Sequence, residues 1–442
     1  MNGLRIRLAA LLACLALLAG APARAQDGTL NLAPETVAPT SMADEHQLLV
    51  MLRLPASHYR PDASYGGRYM DDSGRNARRR RAEELARQHG LTLMDDWPMP
   101  VLGLDCYVMR YPDNQTAEGI IALLAGDPQV EWAQPVARFS GMAQEPTPPP
   151  SPAAAGAADP LYPVQPAARY WHVAELHRFT TGRQIKVAVI DSGIDAAHPD
   201  LQGQLDINSN FVDAGPTPAE SHGTAVAGII AARAGNGGMV GVAPQARLMG
   251  LRACWQLPDQ ATRCNSFTLG KAINYAILNG AKVINLSLSG PPDRLLDRLL
   301  DVALERGIGV VGAIDARAAG ATFPASHPGV LAVASQGRRG NGAAGAALPE
   351  RALLAPGNDI PATAPGGRWA FVNGSSYAAA HVSGMLALLD ELQPDASPAQ
   401  LRRLLLPVEA LNAGNIDACA AISRLVRNCN CSHLSPLGAA AP

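Results

Sequence analysis

Three residues of this chain could together cleave an acyl bond: Asp191, His222 and Ser376, each set in a short glycine-containing motif. The motifs read Val-Ile-Asp191-Ser-Gly-Ile-Asp, His222-Gly-Thr-Ala-Val-Ala-Gly and Gly374-Ser-Ser376-Tyr-Ala-Ala-Ala-His-Val-Ser-Gly. A buried carboxylate can fix the tautomer of an imidazole, and that imidazole can take the proton of a hydroxyl nucleophile. Each residue alone has a plainer meaning: an aspartate in a strand-to-helix turn, a histidine at a helix start and a serine N-cap are all common. The three together, in the chain order acid, base, nucleophile, favour chemistry. Ser376 opens a long run of small apolar residues, and a helix N-terminus there aims free N–H groups at an anion, so its amide suits a developing oxyanion. His381, further along the same run, reads as a packed helix histidine rather than a rival base.

The elements that must position these residues alternate. Short, nearly continuous apolar segments at 186–190, 247–251, 282–286, 309–312 and 330–333 predict strands. Between them, 222–233, 267–279, 294–305 and 376–392 predict helices. Strands apolar on both faces with helices between them imply an α/β fold, a doubly wound, mainly parallel sheet flanked by helices. Sites in such sheets form at the carboxyl ends of strands, where Asp191 falls. Ahead of this lies a smaller pattern: strands at 48–54 and 101–110, a charged helix at 76–89 ended by Gly90, a helix from Thr116 to Ala125 and a last strand at 130–139. Two strand–helix units of this size fit a small α+β domain. The run Arg78 to Arg81, followed directly by Glu83 and Glu84 and without interleaved aromatics, reads as a solvated helix face and not as a nucleic-acid contact.

The chain has 442 residues, is 48% apolar and carries a formal net charge of −2, which gives nucleic acid or anionic membranes no electrostatic purchase. Arg5 and Arg7 precede an apolar run to Gly20, and Ala23-Arg-Ala25 supplies a small-x-small cleavage pattern. Residues 1–25 are therefore a signal peptide, too short to span a bilayer, and the protein is expected to be exported, to a periplasm or beyond, with no membrane span once the signal is removed. The remaining division is a disordered lead at 26–43, the α+β domain at 44–140, a Pro/Ala-rich linker at 141–160, the main domain at 161–428 and a tail at 429–442. Cys254 and Cys264 bracket a short polar loop and are spaced for a local disulfide in an exported protein. Cys419, Cys429 and Cys431 crowd the C-terminus with one left over, and Cys429-Asn-Cys431 lacks the partners of a zinc site. No metal ligands are assigned, and no Gly-x-Gly-x-x-Gly turn marks a nucleotide site.

With the three motifs in that order, the chain resembles the subtilisin-like serine protease family from about 159 to 426, and its N-terminal region resembles that family's inhibitory propeptide. Ile194-Asp195, His198-Pro-Asp-Leu201, Gly241-Val-Ala-Pro244 and Val283-Ile-Asn-Leu-Ser-Leu288 support the match. The resemblance implies a secreted, monomeric endopeptidase made as a zymogen, acting on protein or peptide substrates and held inactive by its own propeptide until the linker is cut. It implies Ser287, Leu288 and Ser289 as substrate contacts, with Ser289 where a glycine is usual. The only cofactor it implies is structural calcium, for which no ligand cluster stands out in the sequence. Two departures matter. Where the family has an oxyanion-hole asparagine, this chain reads Val311-Gly-Ala-Ile-Asp315, leaving Asp315 as the polar candidate. An ionised carboxylate cannot donate, so this implies weak activity at neutral pH or a protonated Asp315. Ala380 stands where a proline is usual, which removes no charge or donor. The competing reading is a subtilase-like peptide-binding protein without turnover, supported by the missing asparagine alone.

Overall fold

The computed structural model describes residues 46–54, 72–144, 147, 159–315, 317–318, 322–336, 351–406 and 415–426. The expected signal peptide 1–25, the lead 26–43, most of the linker 141–160 and the tail 429–442 lie outside the described residues. After Gln47, β1 (Gln47–Arg53) is an unbroken apolar run from Leu48 to Leu52, and every residue before the exposed Arg53 is buried. Such a run needs cover on both faces. It lies inside an antiparallel sheet ordered β2-β3-β1-β4, with β2 at Thr92–Met99, β3 at Leu104–Arg110 and β4 at Val130–Pro135. Leu48, Val50 and Leu52 pack under α1 (Asp72–Gln88) and α2 (Ala117–Leu124), the latter capped by Thr116. Leu49 and Met51 face the other way, into the core of the main domain.

Two expectations change here. β2 was not expected, because Asp95, Asp96 and Pro98 disguise it. Those aspartates also redirect the arginine run: Arg75 reaches Asp96 at 2.9 Å, Arg78 reaches Asp105 at 2.6 Å and Arg79 pairs with Asp96. That helix face is therefore partly spent on the sheet rather than on solvent. The expected strand 130–139 breaks after Pro135, and the chain resumes as β5 (Arg138–Gly141), which leaves this sheet altogether.

The main domain follows as β6 (Lys186–Asp191), β7 (Leu205–Asn210), α3 (Ser221–Ala231), β8 (Arg247–Arg252), β9 (Cys254–Gln256), β10 (Thr262–Asn265), α4 (Ser266–Leu278), β11 (Val283–Leu286), β12 (Leu288–Ser289) and α5 (Arg294–Glu305). It continues through β13 (Gly309–Ala313), β14 (Leu331–Ser335), β15 (Leu353–Ala355), β16 (Ile360–Ala364), β17 (Arg368–Val372), α6 (Ser375–Leu392), α7 (Pro398–Leu405) and α8 (Ala418–Ser423). Seven parallel strands form the expected sheet, ordered β15-β14-β13-β11-β6-β8-β7. Val187 and Val189 of β6 pack with α3 and α6 on one face; Ala188 and Ile190 pack with α4 and α5 on the other. The chain leaves β6 first toward β8 and then returns to β11 on its opposite side. Ligand crevices of such sheets form at this switch point, beyond the carboxyl end of β6. No helix among the described residues is long and apolar enough to cross a membrane.

Candidate active site

Asp191 is the last residue of β6 and His222 the second residue of α3. Asp191 Oδ1 lies 2.7 Å from His222 Nδ1, both side chains buried. The approach is close because Gly223 lets α3 sit on the turn after β6: a Cβ there would fall 2.2 Å from Ser192 O. With Nδ1–H donating to the carboxylate, the lone pair is left on Nε2, which has no hydrogen-bond partner among the described residues. Tyr377 stacks obliquely on the imidazole, ring centroids 5.7 Å apart. Burial, and then the Asp191 carboxylate, push its phenol well above the ordinary range, so it stays a neutral wall.

Two residues that the sequence reading passed over hold this corner. Glu220 takes a bidentate pair from Arg252, both contacts 3.0 Å, and accepts the backbone N–H of Gly193 and Gln256. Burial works against the Arg252 charge, but the Glu220 and Asp213 carboxylates outweigh it and raise its pKa. This pair ties the loop after β6 to the start of α3 and so fixes both partners of the Asp191–His222 bond. Nothing local in sequence announces it, since the two residues come from separate elements.

Ser376 is the second residue of α6 and is fully buried. Its Oγ donates to Ser287 O at 2.8 Å, and Ser287 Oγ donates to Ser376 O at 2.8 Å. Asn285 and Ser383 extend this buried chain, each contact 2.9 Å. Ser287 thus fixes the nucleophile candidate, while Leu288 and Ser289 form β12. His381, one turn further on, gives Nδ1 to Tyr377 O at 2.7 Å and packs edge-on to Trp171. Burial lowers its pKa to about 4, so it is a neutral core residue.

What fills the crevice is the chain itself. β5 lies between β12 and β10 as an antiparallel strand, with Gly141 opposite Leu288, Ser140 opposite both Ser289 and Arg263, and Phe139 opposite Cys264. The Cys254–Cys264 disulfide, at the expected positions, fastens β10 to β9 at a facing pair. Phe139 is buried over Gly290, where a Cβ would come 2.3 Å from its ring, and meets Phe323 edge-on. Beyond β5, Met142 N donates to Ser376 Oγ at 2.9 Å and to Ser287 O at 3.4 Å. Ser376 N donates to Met142 O at 3.2 Å. Gly374 makes the passage possible, since a Cβ there would fall 2.2 Å from Met142 O. The strand leaves through Gln144 N to Asn373 O at 2.8 Å and a bridge from Thr147 to Phe371.

Asp315 stands just past the carboxyl end of β13; its carboxylate accepts from Arg317 N at 2.9 Å and lies 3.4 Å from Arg317 Nε. One cluster among the described residues has metal-ligand composition: Asp297, Asp301 and His327. His327 Nδ1 accepts from Gly329 N, which puts the ring proton on Nε2, facing Asp301 at 3.2 Å. That proton occupies the place a cation would need, so the cluster fits a hydrogen-bonded group rather than a calcium site, whose ligands are oxygens. Cys419 is also disulfide-bonded.

Comparison with known proteins identifies the family of this fold. The subtilase family model matches residues 182–415. Subtilisin E of Bacillus subtilis (strain 168) is 38% identical over 235 residues, covering 50% of this chain and 59% of that protein. Subtilisin of Bacillus pumilus is 37% identical over 232 residues, covering 50% of this chain and 82% of that protein. The chain therefore spans little more than half the length of some relatives and most of others. Among solved structures, fervidolysin from Fervidobacterium pennivorans, a keratinolytic enzyme related to subtilisin, shares the fold with a TM-score of 0.65 at 22% identity, covering 86% of this chain and 61% of that one. The chain belongs to the subtilase family.

Proposed function

We propose that the protein is an exported serine endopeptidase made as a zymogen, and that its first substrate is its own Met142–Ala143 bond. The observation that carries this reading is the path of residues 138–142, laid as a strand between β10 and β12 with the Met142 carbonyl against the Ser376 amide. Ser376 Oγ rotates from Ser287 O to His222 Nε2, gives up its proton there and attacks the Met142 carbonyl carbon. The Ser376 N–H holds the oxygen as it becomes anionic, while Asp191 steadies the imidazolium. Collapse of the intermediate returns the proton to the Ala143 nitrogen and leaves Met142 esterified to Ser376. Water, deprotonated by His222, then releases the acid.

The N-terminal unit, residues 44–142, acts in this reading as folding aid and inhibitor, its end left in the cleft like a product. Later substrates are proteins or peptides that offer an extended strand with an apolar side chain at the cut, a small residue before it and an aromatic two residues further back, as Phe139, Gly141 and Met142 do. Residues 1–25 direct export. The test is the intact mass of the exported protein beside Ser376→Ala, with fluorophosphonate labelling of both. A mature chain beginning at Ala143 and a phosphonate adduct, both absent in the variant, are expected. A folded wild type that is neither cut nor labelled would overturn the reading in favour of a peptide-binding protein.

A further inference from the structure

Attack at Met142 would place a full negative charge on its carbonyl oxygen, yet that oxygen meets one donor among the described residues, Ser376 N. Oxyanions of acyl transfer are stabilised by several aimed donors, and a single one leaves much of the charge uncompensated. Asp315 cannot supply the second while its carboxylate is an acceptor, and it accepts from Arg317. That same pairing, however, brings a guanidinium to the cleft. Arg317 lines it together with Gly141, Ala143, His222 and Tyr377. The other arginine on this cleft among the described residues, Arg263, is tied to Ser140 Oγ of the occupying strand. The Arg317 side chain is 79% exposed, so it can move toward developing charge without breaking core packing.

We propose that Arg317 is the second oxyanion donor, a catalytic residue whose guanidinium closes over the carbonyl oxygen as it becomes anionic, with Asp315 as its positioning residue. This rests on the serine-endopeptidase reading above. Two physical features suit the role. A cation gains most when the oxygen carries full charge, so it favours the transition state over the neutral substrate. A charge-assisted hydrogen bond is also about twice as strong as a neutral one, which offsets the freedom lost by an exposed side chain. Asp315, by holding the Arg317 amide and Nε, reduces that loss and leaves the terminal nitrogens to face the substrate. An exposed cation in this role also makes turnover sensitive to salt, since charges at the surface are screened.

The test uses the full chain after self-maturation and a peptide with the sequence Phe-Ser-Gly-Met-Ala across the cut. Arg317→Met is expected to lower kcat about a hundredfold with KM changed by less than about threefold. Arg317→Lys should keep part of the loss from appearing, and in the Arg317→Met background Asp315→Asn should regain at least about tenfold, because an amide at that position can donate. Fluorophosphonate should still reach Ser376 in every variant, which shows an intact nucleophile. The same ratios should govern Met142–Ala143 cleavage in the precursor. An Arg317→Met enzyme with kcat within about threefold of wild type would overturn the proposal. So would a loss confined to KM that depends on an acidic residue after the cut, which would make Arg317 a side-chain receptor instead. Wild type that neither cuts nor labels would fell the endopeptidase reading itself, and the donor with it, and is distinct from either result.

Discussion

At the residue scale, the tightest constraint on substrates is at Gly141. A Cβ there would stand 3.0 Å from Thr262 Cβ and 3.2 Å from His222 Nε2. Neither neighbour gives easily: Thr262 begins β10, next to the disulfide, and His222 is held by Asp191. Overpacking of this kind costs about 1–3 kcal/mol. Replacing glycine by alanine just before the cut-site residue of the test peptide should therefore lower kcat/KM roughly tenfold, and Thr262→Gly should recover most of it. Equal kcat/KM values for the two peptides would show that the cleft widens on release of residues 138–142. The residues of the candidate site, Asp191, His222 and Ser376, were legible because each lies in a local motif at an element end. Glu220 and Arg252 were not, since a buried ion pair between separate elements leaves no periodic or spacing signal. The turn of Asp315 toward Arg317 was equally silent: a carboxylate and an arginine two positions apart in a loop have many other partners open to them.

Helix α6 shows what an element must reconcile. It carries Ser376 at its start, and it buries both His381 and Asp390. Burial lowers the His381 pKa to about 4, so between about pH 6.5 and 4 the unfolded chain binds a proton that the folded chain refuses. Its contribution is fully present above pH 6.5 and is lost as pH falls, by about 3 kcal/mol in total. Asp390 has the opposite sign. Burial raises its pKa to about 6, so its contribution is present below about pH 3.8 and is lost as pH rises through 6. The two slopes nearly cancel in the wild type. In the Ser376→Ala chain, which the proposed mechanism leaves uncut, His381→Gln should be destabilising at pH 7, and that penalty should shrink by about 2–3 kcal/mol at pH 4.5 in urea unfolding. An equal penalty at both values would mean that the folded chain protonates His381 as readily as the unfolded one. Elements of this kind were the legible part of the architecture: short, nearly continuous apolar strands alternating with helices mark a buried parallel sheet in the sequence itself. β5 was not. Its four residues, Arg138-Phe-Ser-Gly141, carry little strand character of their own, and their place is dictated by β10 and β12, far along the chain.

For the whole molecule, the proposed cut at Met142–Ala143 raises the question of what then keeps the N-terminal unit on the main domain. Its sheet lays Leu49, Met51, Val108 and Trp132 against α4 and α5 in one continuous core. It also completes the open ends of those helices. Gln134 Oε1 accepts Leu295 N at 3.1 Å beside the Asp293 cap of α5. Ala137 exchanges hydrogen bonds with Ser266 at the start of α4, Ser266 N to Ala137 O at 3.0 Å and Ala137 N to the side-chain Ser266 Oγ at 2.7 Å. Arg294 and Arg298 lie over the Trp132 ring, 4.7 and 5.0 Å from its centroid. An interface that shares a core and caps two helices outlasts the loss of one peptide bond, so cleavage and activation should be separate events. The fragment ending at Met142 should co-purify with the freshly cut enzyme, and peptide hydrolysis should appear only after a lag, as the fragment dissociates or is degraded. Trp132→Ala removes the buried ring and with it both cation–π contacts, a change of about 3 kcal/mol or more, which weakens fragment binding on the order of a hundredfold. The lag should shorten accordingly while the rate of Met142–Ala143 cleavage changes far less, because β5 and its partners are untouched. The milder Arg294→Ala should shorten it in the same direction if the larger change impairs folding. A lag that is the same in all three chains, or a fragment that leaves at once in the wild type, would place the inhibition in residues 138–142 alone and make the sheet a folding aid only.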